Sequence, residues 1–395
     1  MSKESSGRPL SRRSALKVGL GVAAGTGLAV ANPFGALSAS AAQSGAQLCD
    51  NSGDSASTYG LGSGDLCIPY SRVHDGSWGY VWGDSYSGMQ QSGYLGSPTM
   101  LCQSSFDSSG ATPISFTYAM PSGTAKQLFN YAHNADNGYG YEVSRIPNDC
   151  IEIDGRTYVQ YTSVNDWDAK TTSSGDGSLM AGVAYSDDYG VTWQDYDYHW
   201  AGWKQGIDQS LYMMWSFAGV DADGWLYIFS KRWNGSHTNS GDGGAIQLFR
   251  IQPADFRAGD FGAQQNWAYV NGAWEWTSSA TPPSVILSGN DIGEFSVKNI
   301  GGTYCMSYFD VTDYSIRTRT ASRPDAVWTD PTTQIVGDNV TNPAHWGLPE
   351  VQYLYGGYIH PGSAGATSLT LIVSQWDGTI GSPPYWALQY DGINP

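Results

Sequence analysis

From about residue 58 onward the chain is written in short β-type runs. β-branched and aromatic residues crowd into Thr157–Thr162, Trp225–Ser230, Ala245–Ile251, Thr303–Phe309 and Ser368–Ser374. These residue types suit a pleated, half-buried surface. Between the runs stand dipeptides that accept positive φ at little cost: Asp154-Gly155, Asp223-Gly224, Asn271-Gly272, Gly301-Gly302 and Asp377-Gly378. Such pairs between β runs predict tight hairpins. No helical period is sustained in this part, and only Pro253-Ala254-Asp255-Phe256 predicts a short turn of helix.

The hairpins fall into groups that begin near Asp65, Asn148, Met214, Glu294 and Tyr355. Each group ends in a loop rich in Gly, Ser or Pro. Small antiparallel sheets repeated around an axis make a β-propeller. The pattern predicts an all-β, five-bladed β-propeller, with six or seven blades or a β-sandwich as alternatives. The groups are longer than the usual propeller repeat, which predicts insertions around Asp166–Asp176 and Ser236–Gly243. Ser186-Asp187-Asp188-Tyr189-Gly190-Val191-Thr192-Trp193 fits S-x-D-x-G-x-x-W and resembles the Asp-box of sialidase-type propellers. Its role is read as structural, because a short polar side chain there accepts backbone N–H groups across a turn.

The first residues follow a different pattern. Ser11-Arg12-Arg13-Ser14-Ala15-Leu16-Lys17 precedes an apolar stretch from Val18 to about Val30, then Ala39-Ser40-Ala41. Charged start, apolar middle and small-residue end predict a twin-arginine signal peptide over residues 1–41, and hence a secreted protein. A membrane anchor is the alternative, but so short an apolar run does not comfortably span a bilayer. Residues 42–57, rich in Ser, Gly and Ala, read as a flexible linker, and 58–395 as a single propeller domain. No later stretch approaches spanning length without polar residues, so no membrane insertion is expected.

Charge narrows the substrate. Lys and Arg number 19 against 36 Asp and Glu, a formal net charge of −17, and residues 1–41 hold a surplus of the basic ones. Such a surface repels nucleic acid and anionic lipid. It suits a neutral or weakly charged substrate, with the protein expected as a monomer. The 16 Trp and 26 Tyr offer flat apolar faces with polar tips, on which sugar rings stack. Most of them are expected to pack between sheets and a handful to line a site. The cysteines, Cys49, Cys67, Cys102, Cys150 and Cys305, are odd in number and contain no C-x-x-C, so no zinc or redox site is signalled. One or two disulfides are expected outside the cell.

The chain contains no P-loop, H-E-x-x-H, dinucleotide fingerprint or G-x-S-x-G elbow. Asp221-Ala222-Asp223-Gly224 lacks the rest of a calcium loop and reads as a hairpin turn. What remains is carboxylate chemistry. Glycosidic cleavage needs a protonated acid on the leaving oxygen and a carboxylate on the opposite side. In a propeller the candidates lie near the start of each inner strand. Two aspartates stand out as catalytic candidates: Asp65 in Gly64-Asp65-Leu66, just before the first inner strand, and Asp84 in Trp82-Gly83-Asp84-Ser85, at the end of a strong β run, with Gly83 allowing close backbone approach. Glu294, Asp149, His360 and Trp82 are read as substrate-binding positions. His360 equally suits a structural imidazole, and Trp82 plain core. No metal or organic cofactor is required.

These residues resemble a family known as domain of unknown function 4185, grouped with the endo-D-arabinanases of glycoside hydrolase family 183. The resemblance rests on Gly64-Asp65-Leu66, Trp82-Gly83-Asp84-Ser85-Tyr86, Gly293-Glu294-Phe295-Ser296, Met306-Ser307-Tyr308-Phe309-Asp310, Ile316-Arg317-Thr318-Arg319-Thr320 and Tyr355-Gly356-Gly357-Tyr358-Ile359-His360-Pro361. It covers residues 58 to 391. It implies a five-bladed propeller that hydrolyses internal D-arabinofuranosyl linkages of arabinogalactan and lipoarabinomannan through two aspartates, which match Asp65 and Asp84. Cys67 after Leu66, and Trp82 where Phe is more usual, are departures that touch the fit around the site and spare the carboxylates. Another furanoside specificity (L-arabinan or fructan) and a non-catalytic glycan-binding propeller remain as alternatives. A sialoside is the least favoured substrate, since few arginines cluster.

Overall fold

The computed structural model describes residues 45–48, 55–89, 91–131, 133–167, 177–202, 210–233, 245–288, 292–337, 343–345, 347–375 and 385–395. The predicted signal peptide, Cys49, most of both predicted insertions and the Asp377-Gly378 turn lie outside them.

Among the described residues, five sheets of four or five strands follow one another along the chain, beside a smaller three-stranded sheet (Ser63–Gly64, Ser85–Tyr86, Tyr94–Gly96) and a two-stranded one (Ala135–Asp136, Tyr141–Glu142). The first holds Ile68–Arg72, Ser77–Trp82, Thr99–Gln103, Tyr118–Ser122 and Thr124–Ala125. The second holds Ser144–Ile153, Arg156–Val164, Ser178–Ser186 and Gln194–Asp195, with Trp200–Ala201 beside the third strand. The third runs from Met214–Val220 through Leu226–Lys231, Gln247–Ile251 and Gln265–Val270 to Ala273–Ser278. The fourth runs from Ile292–Ile300 through Thr303–Asp310, Ser315–Ala321 and Thr332–Gly337 to Glu350–Val351. The fifth holds Leu354–Ile359, Leu369–Gln375 and Trp386–Ile393. The first strands of successive sheets pack side by side, and that of the fifth returns to that of the first. This ring of inner strands is the propeller arrangement.

The ring is stitched by side chains that reach the next inner strand. Asp149 of the second sheet accepts from Ser216 Oγ and the Phe217 N–H of the third, both at 2.8 Å. Ser216 Oγ accepts from the Val297 N–H of the fourth (2.8 Å), and Ser296 Oγ from the Ile359 N–H of the fifth (3.1 Å). Ser374 of the fifth sheet accepts from the Leu66 N–H beside the first (3.0 Å). Large side chains, among them Trp215, Phe217, Phe229 and Phe249, fill the space between neighbouring sheets and are fully buried. Truncating one such ring to alanine costs about 3–5 kcal/mol.

The hairpins follow the turn chemistry. Asp154-Gly155 (φ 49° and 75°) and Asn271-Gly272 (φ 52° and 89°) have positive φ at both central residues, the twist that matches flanking strands. Asp221 to Gly224 also forms a hairpin turn, closed by Asp221 N–H to Trp225 O at 3.0 Å. Pro253–Ala258 is a short helix, as expected. The second sheet starts at Ser144, ahead of the expected Asn148, because its inner strand continues through Pro147 at a bulge between Pro147 and Asp149. Within the expected linker, Ala46–Gln47 pairs with Trp386–Ile393 as the outermost strand of the fifth sheet (Ala46↔Gln389, Gln47↔Leu388). A strand from the start of the domain thus completes a sheet made by its end. No disulfide joins Cys67, Cys102, Cys150 and Cys305, all of them buried.

Candidate active site

Asp65 sits in a tight irregular segment just before the first inner strand. Leu66 and Cys67 both have positive φ, 68° and 51°. The Cys67 N–H bonds back to the Asp65 carbonyl at 2.9 Å, closing a γ-turn around Leu66. Left-handed conformations at non-glycine residues are costly and tend to persist at functional sites. The Gly83 N–H donates to the same carbonyl at 3.0 Å. A Cβ on residue 83 would collide with Asp65 Oδ1 and meet the Leu66 side chain at 3.0 Å. Only glycine lets the carboxylate lie against this backbone, as the sequence reading of Gly83 anticipated. Asp84 follows Gly83 in the chain, directly after the backbone against which the Asp65 carboxylate lies.

Each carboxylate is held by a different neighbouring sheet. Tyr355, at the start of the fifth inner strand, donates its hydroxyl to Asp65 Oδ2 at 3.0 Å. Ser144, first residue of the second inner strand, donates Oγ to Asp84 Oδ1 at 2.8 Å. Behind Ser144 runs a hydroxyl chain, Tyr131 at 3.4 Å and Tyr94 a further 3.1 Å away. Burial, and after it the charge of Asp84, pushes the Tyr131 phenol up to about 12 and the Tyr94 phenol higher still. Both phenols stay protonated and able to donate. Asp65 is 1% exposed and Asp84 is half-buried, an arrangement of one enclosed and one accessible carboxylate.

Glu294 lies at the same end of the ring. It stands in a bulge between Ile292 and Phe295 at the start of the fourth inner strand and is half-buried. Asp310, paired with Ile292, adds a fourth carboxyl there; burial raises its pKa, while Arg317 at 3.1 Å pulls it down. The sequence reading gave it no role.

Asp149, His360 and Trp82 are placed otherwise. The Asp149 carboxylate is consumed by Ser216, Phe217 N–H, Cys150 N–H and a 2.6 Å bridge to Lys298. It ties three sheets together. His360 is enclosed by Trp78, Tyr80 and Phe106, with its centroid 3.6 Å from that of Phe106. Its Nδ1 accepts from the Gly362 N–H (3.0 Å), so Nε2 carries the proton towards the Tyr80 hydroxyl (3.0 Å). Burial lowers its pKa to about 3. Trp82 is wholly buried and packs edge-on to Phe116, 5.8 Å between centroids. Neither ring reaches a surface on which a sugar can lie, so both take the packing role that the sequence left open.

At the opposite end of the ring, where the inner strands finish, Tyr70, Cys150, Phe217, Lys298, Asn299 and Pro361 help line an open cavity of about 420 Å³. Its lining carboxylates offer no reactive pair: Glu152 bonds His74 through both oxygens (2.7 and 2.8 Å), and Asp154 sits in a hairpin turn. Asp65 and Asp84 lie outside this cavity, at the end of the ring where the inner strands begin. Sequence reasoning missed Ser144, Tyr94 and Tyr131, which carry no local signal, and Tyr355, which opens the Y-G-G-Y-I-H-P run.

The chain belongs to the family described as domain of unknown function (DUF4185), whose model matches residues 50–391. It is 31% identical over 351 residues to notoamide biosynthesis cluster protein J' of Aspergillus versicolor, covering 84% of this chain and 85% of that protein. It is 28% identical over 348 residues to an uncharacterized 35.9 kDa protein in the asd 3' region of Mycolicibacterium smegmatis, covering 85% and 94%. Among solved structures, a Bacteroides ovatus protein assigned as a hydrolase superposes with TM-score 0.51 at 12% identity, over 84% of this chain and 87% of that one. A β-1,3-galactosidase of glycoside hydrolase family 43 superposes with TM-score 0.50 at 12% identity, over 88% of this chain and 59% of that one. At such identity these likenesses show a shared fold.

Proposed function

We propose that the protein is an exported glycoside hydrolase, an endo-D-arabinanase that cleaves internal D-arabinofuranosyl linkages of arabinogalactan and lipoarabinomannan. The five sheets count as five blades. The observation that carries the reading is the placement of Asp65 and Asp84 beside Gly83 at one mouth of the ring, each oriented by a hydroxyl from a different sheet. One carboxyl protonates the leaving oxygen, and the other acts on the anomeric centre or on the attacking water. The Tyr355 and Ser144 hydroxyls fix both groups before substrate arrives, which lowers the reorganisation needed in the transition state. Glu294, at the same mouth, contacts sugar hydroxyls.

The acidic surface supports a neutral glycan. The reading rests on the carboxylate geometry and the arabinanase resemblance of the motifs. Product analysis on arabinogalactan, L-arabinan and fructan tests it. Oligosaccharides from arabinogalactan alone are expected. Monosaccharide products, or release only from another furanoside, overturn the endo-D-arabinanase assignment.

A further inference from the structure

The outer edge of the third sheet carries an aromatic ladder that the carboxylate site does not use. In the hairpin of Gln265–Val270 and Ala273–Ser278, Trp267 pairs with Trp276 and Tyr269 with Trp274. Opposed residues, and residues two apart on a strand, share a face. All four rings therefore stand on one side, while the intervening Asn266 and Ala268 are buried. Ring centroids step along this face: Tyr269 to Trp274 5.6 Å, Trp274 to Trp267 5.8 Å, Trp267 to Trp276 4.9 Å. Trp267 and Trp274 are nearly coplanar in orientation, at 17°. The row continues through Arg250, whose guanidinium carbon lies 4.1 Å from the Trp276 ring centroid and 4.3 Å from that of Trp225. Gln265 Oε1 accepts from both Nε and Nη2 of Arg250 (3.0 and 2.8 Å) and fixes the guanidinium plane. Tyr269 is 55% exposed and Trp274 41%.

We propose that this ladder is a binding platform for a neutral polysaccharide chain, separate from the carboxylate mouth. Aromatic rings exposed in a contiguous row mark an interaction surface. Three features fit a glycan. The rings combine apolar faces with hydroxyl and indole N–H tips, the complement of a sugar ring with its C–H face and hydroxyl rim. Two opposed ring pairs joined through Trp267 and Trp274 make one continuous open face across the hairpin, which suits a polymer laid over it better than one sugar held in a pocket. The net charge of −17 disfavours nucleic acid and other polyanions. The platform holds the polymer near the protein whatever the carboxylates do to it, so the inference stands apart from the hydrolase reading.

The test compares the full chain with the Trp274→Ala/Tyr269→Ala double variant and with Asp84→Asn. Each migrates through native gels containing soluble arabinogalactan, arabinan or xylan, with sedimentation velocity in parallel. The wild type and Asp84→Asn are expected to be retarded by at least one polymer, and the double variant to bind it about tenfold more weakly, a loss of about 1.4 kcal/mol. Where the wild type hydrolyses short soluble oligosaccharides, the double variant is expected to match its rate within about twofold, because both side chains are exposed and remote from the carboxylates. Equal retardation of wild type and double variant overturns the proposal, as does a wild type that no polymer retards. A wild-type dimer that the double variant dissociates assigns the ladder to a self-interface and overturns it too. Tyr269→Ala alone, at the most exposed ring, repeats the comparison if the double variant misfolds.

Discussion

The carboxylate of Asp65 occupies the space that a Cβ on residue 83 would need. Gly83→Ala is therefore expected to displace Asp65 while leaving the local hydrogen bond of its own N–H in place. Overpacking of this kind costs about 1–3 kcal/mol. A shift of about 1 Å in a reacting group costs about 100-fold in rate. Activity on arabinogalactan should thus fall far more than urea stability does; a fully active variant contradicts this geometry.

Tyr355 holds Asp65 through a single hydroxyl from another sheet. A hydrogen bond to a charged group is worth about 1.5–3 kcal/mol. Tyr355→Phe should lower kcat/KM roughly 10- to 100-fold, and a shifted pH profile should accompany the loss. A purely structural hydroxyl would change stability and leave the profile where it was.

Asp149 and Lys298 form a buried bridge between the second and fourth sheets. Asp149→Ala leaves the ammonium unpaired, and breaking such a pair from one side costs about 3–5 kcal/mol. Removing both charges, as Asp149→Ala with Lys298→Met, should recover part of that loss in urea unfolding. KM of the folded protein should not move, since Asp149 ties strands and does not touch sugar. A raised KM with unchanged stability would return it to the substrate site.

His360 is kept neutral, its pKa pushed down by burial to about 3 from an ordinary 6.5. The unfolded chain takes up a proton near 6.5 and the folded one resists until about 3. Stability from this group is complete above 6.5 and is lost as pH falls through that window. The slope is about 1.4 kcal/mol per pH unit for one proton. In His360→Gln the acid slope of stability, measured by urea unfolding between pH 4 and 6, should flatten by one proton. An unchanged slope would mean that the imidazole titrates normally in the fold.

Much of the fold is written locally. Asp154-Gly155 and Asn271-Gly272 announce their hairpins because positive φ selects those residues, and the second strands of the later sheets read as β runs because both their faces are buried. The strand at Ala46–Gln47 is not legible, since its partner lies at the far end of the chain and its residues look like linker. Asp65 stands out from its place before the first strand and Asp84 from the end of a β run, but the γ-turn at Leu66 is invisible, because neither Leu66 nor Cys67 advertises a positive φ. Trp82 and His360 mislead for a related reason. An indole or imidazole beside glycines looks the same whether it faces a ligand or fills a core, and only the closing of Phe106, Phe116 and Tyr80 around them decides. Tyr355 and Ser144 gain their roles only when five sheets close and bring distant residues to one mouth.

The most direct measurement is the release of oligosaccharides from arabinogalactan by the wild type beside Asp65→Asn and Asp84→Asn, each first shown to unfold cooperatively. The wild type should release them, and each variant should lose at least about 1,000-fold in rate. Both amides are nearly isosteric with the carboxyls they replace, so the loss reports chemistry and not collapse. Wild-type release retained in either folded variant would contradict the carboxylate pair on which the account depends.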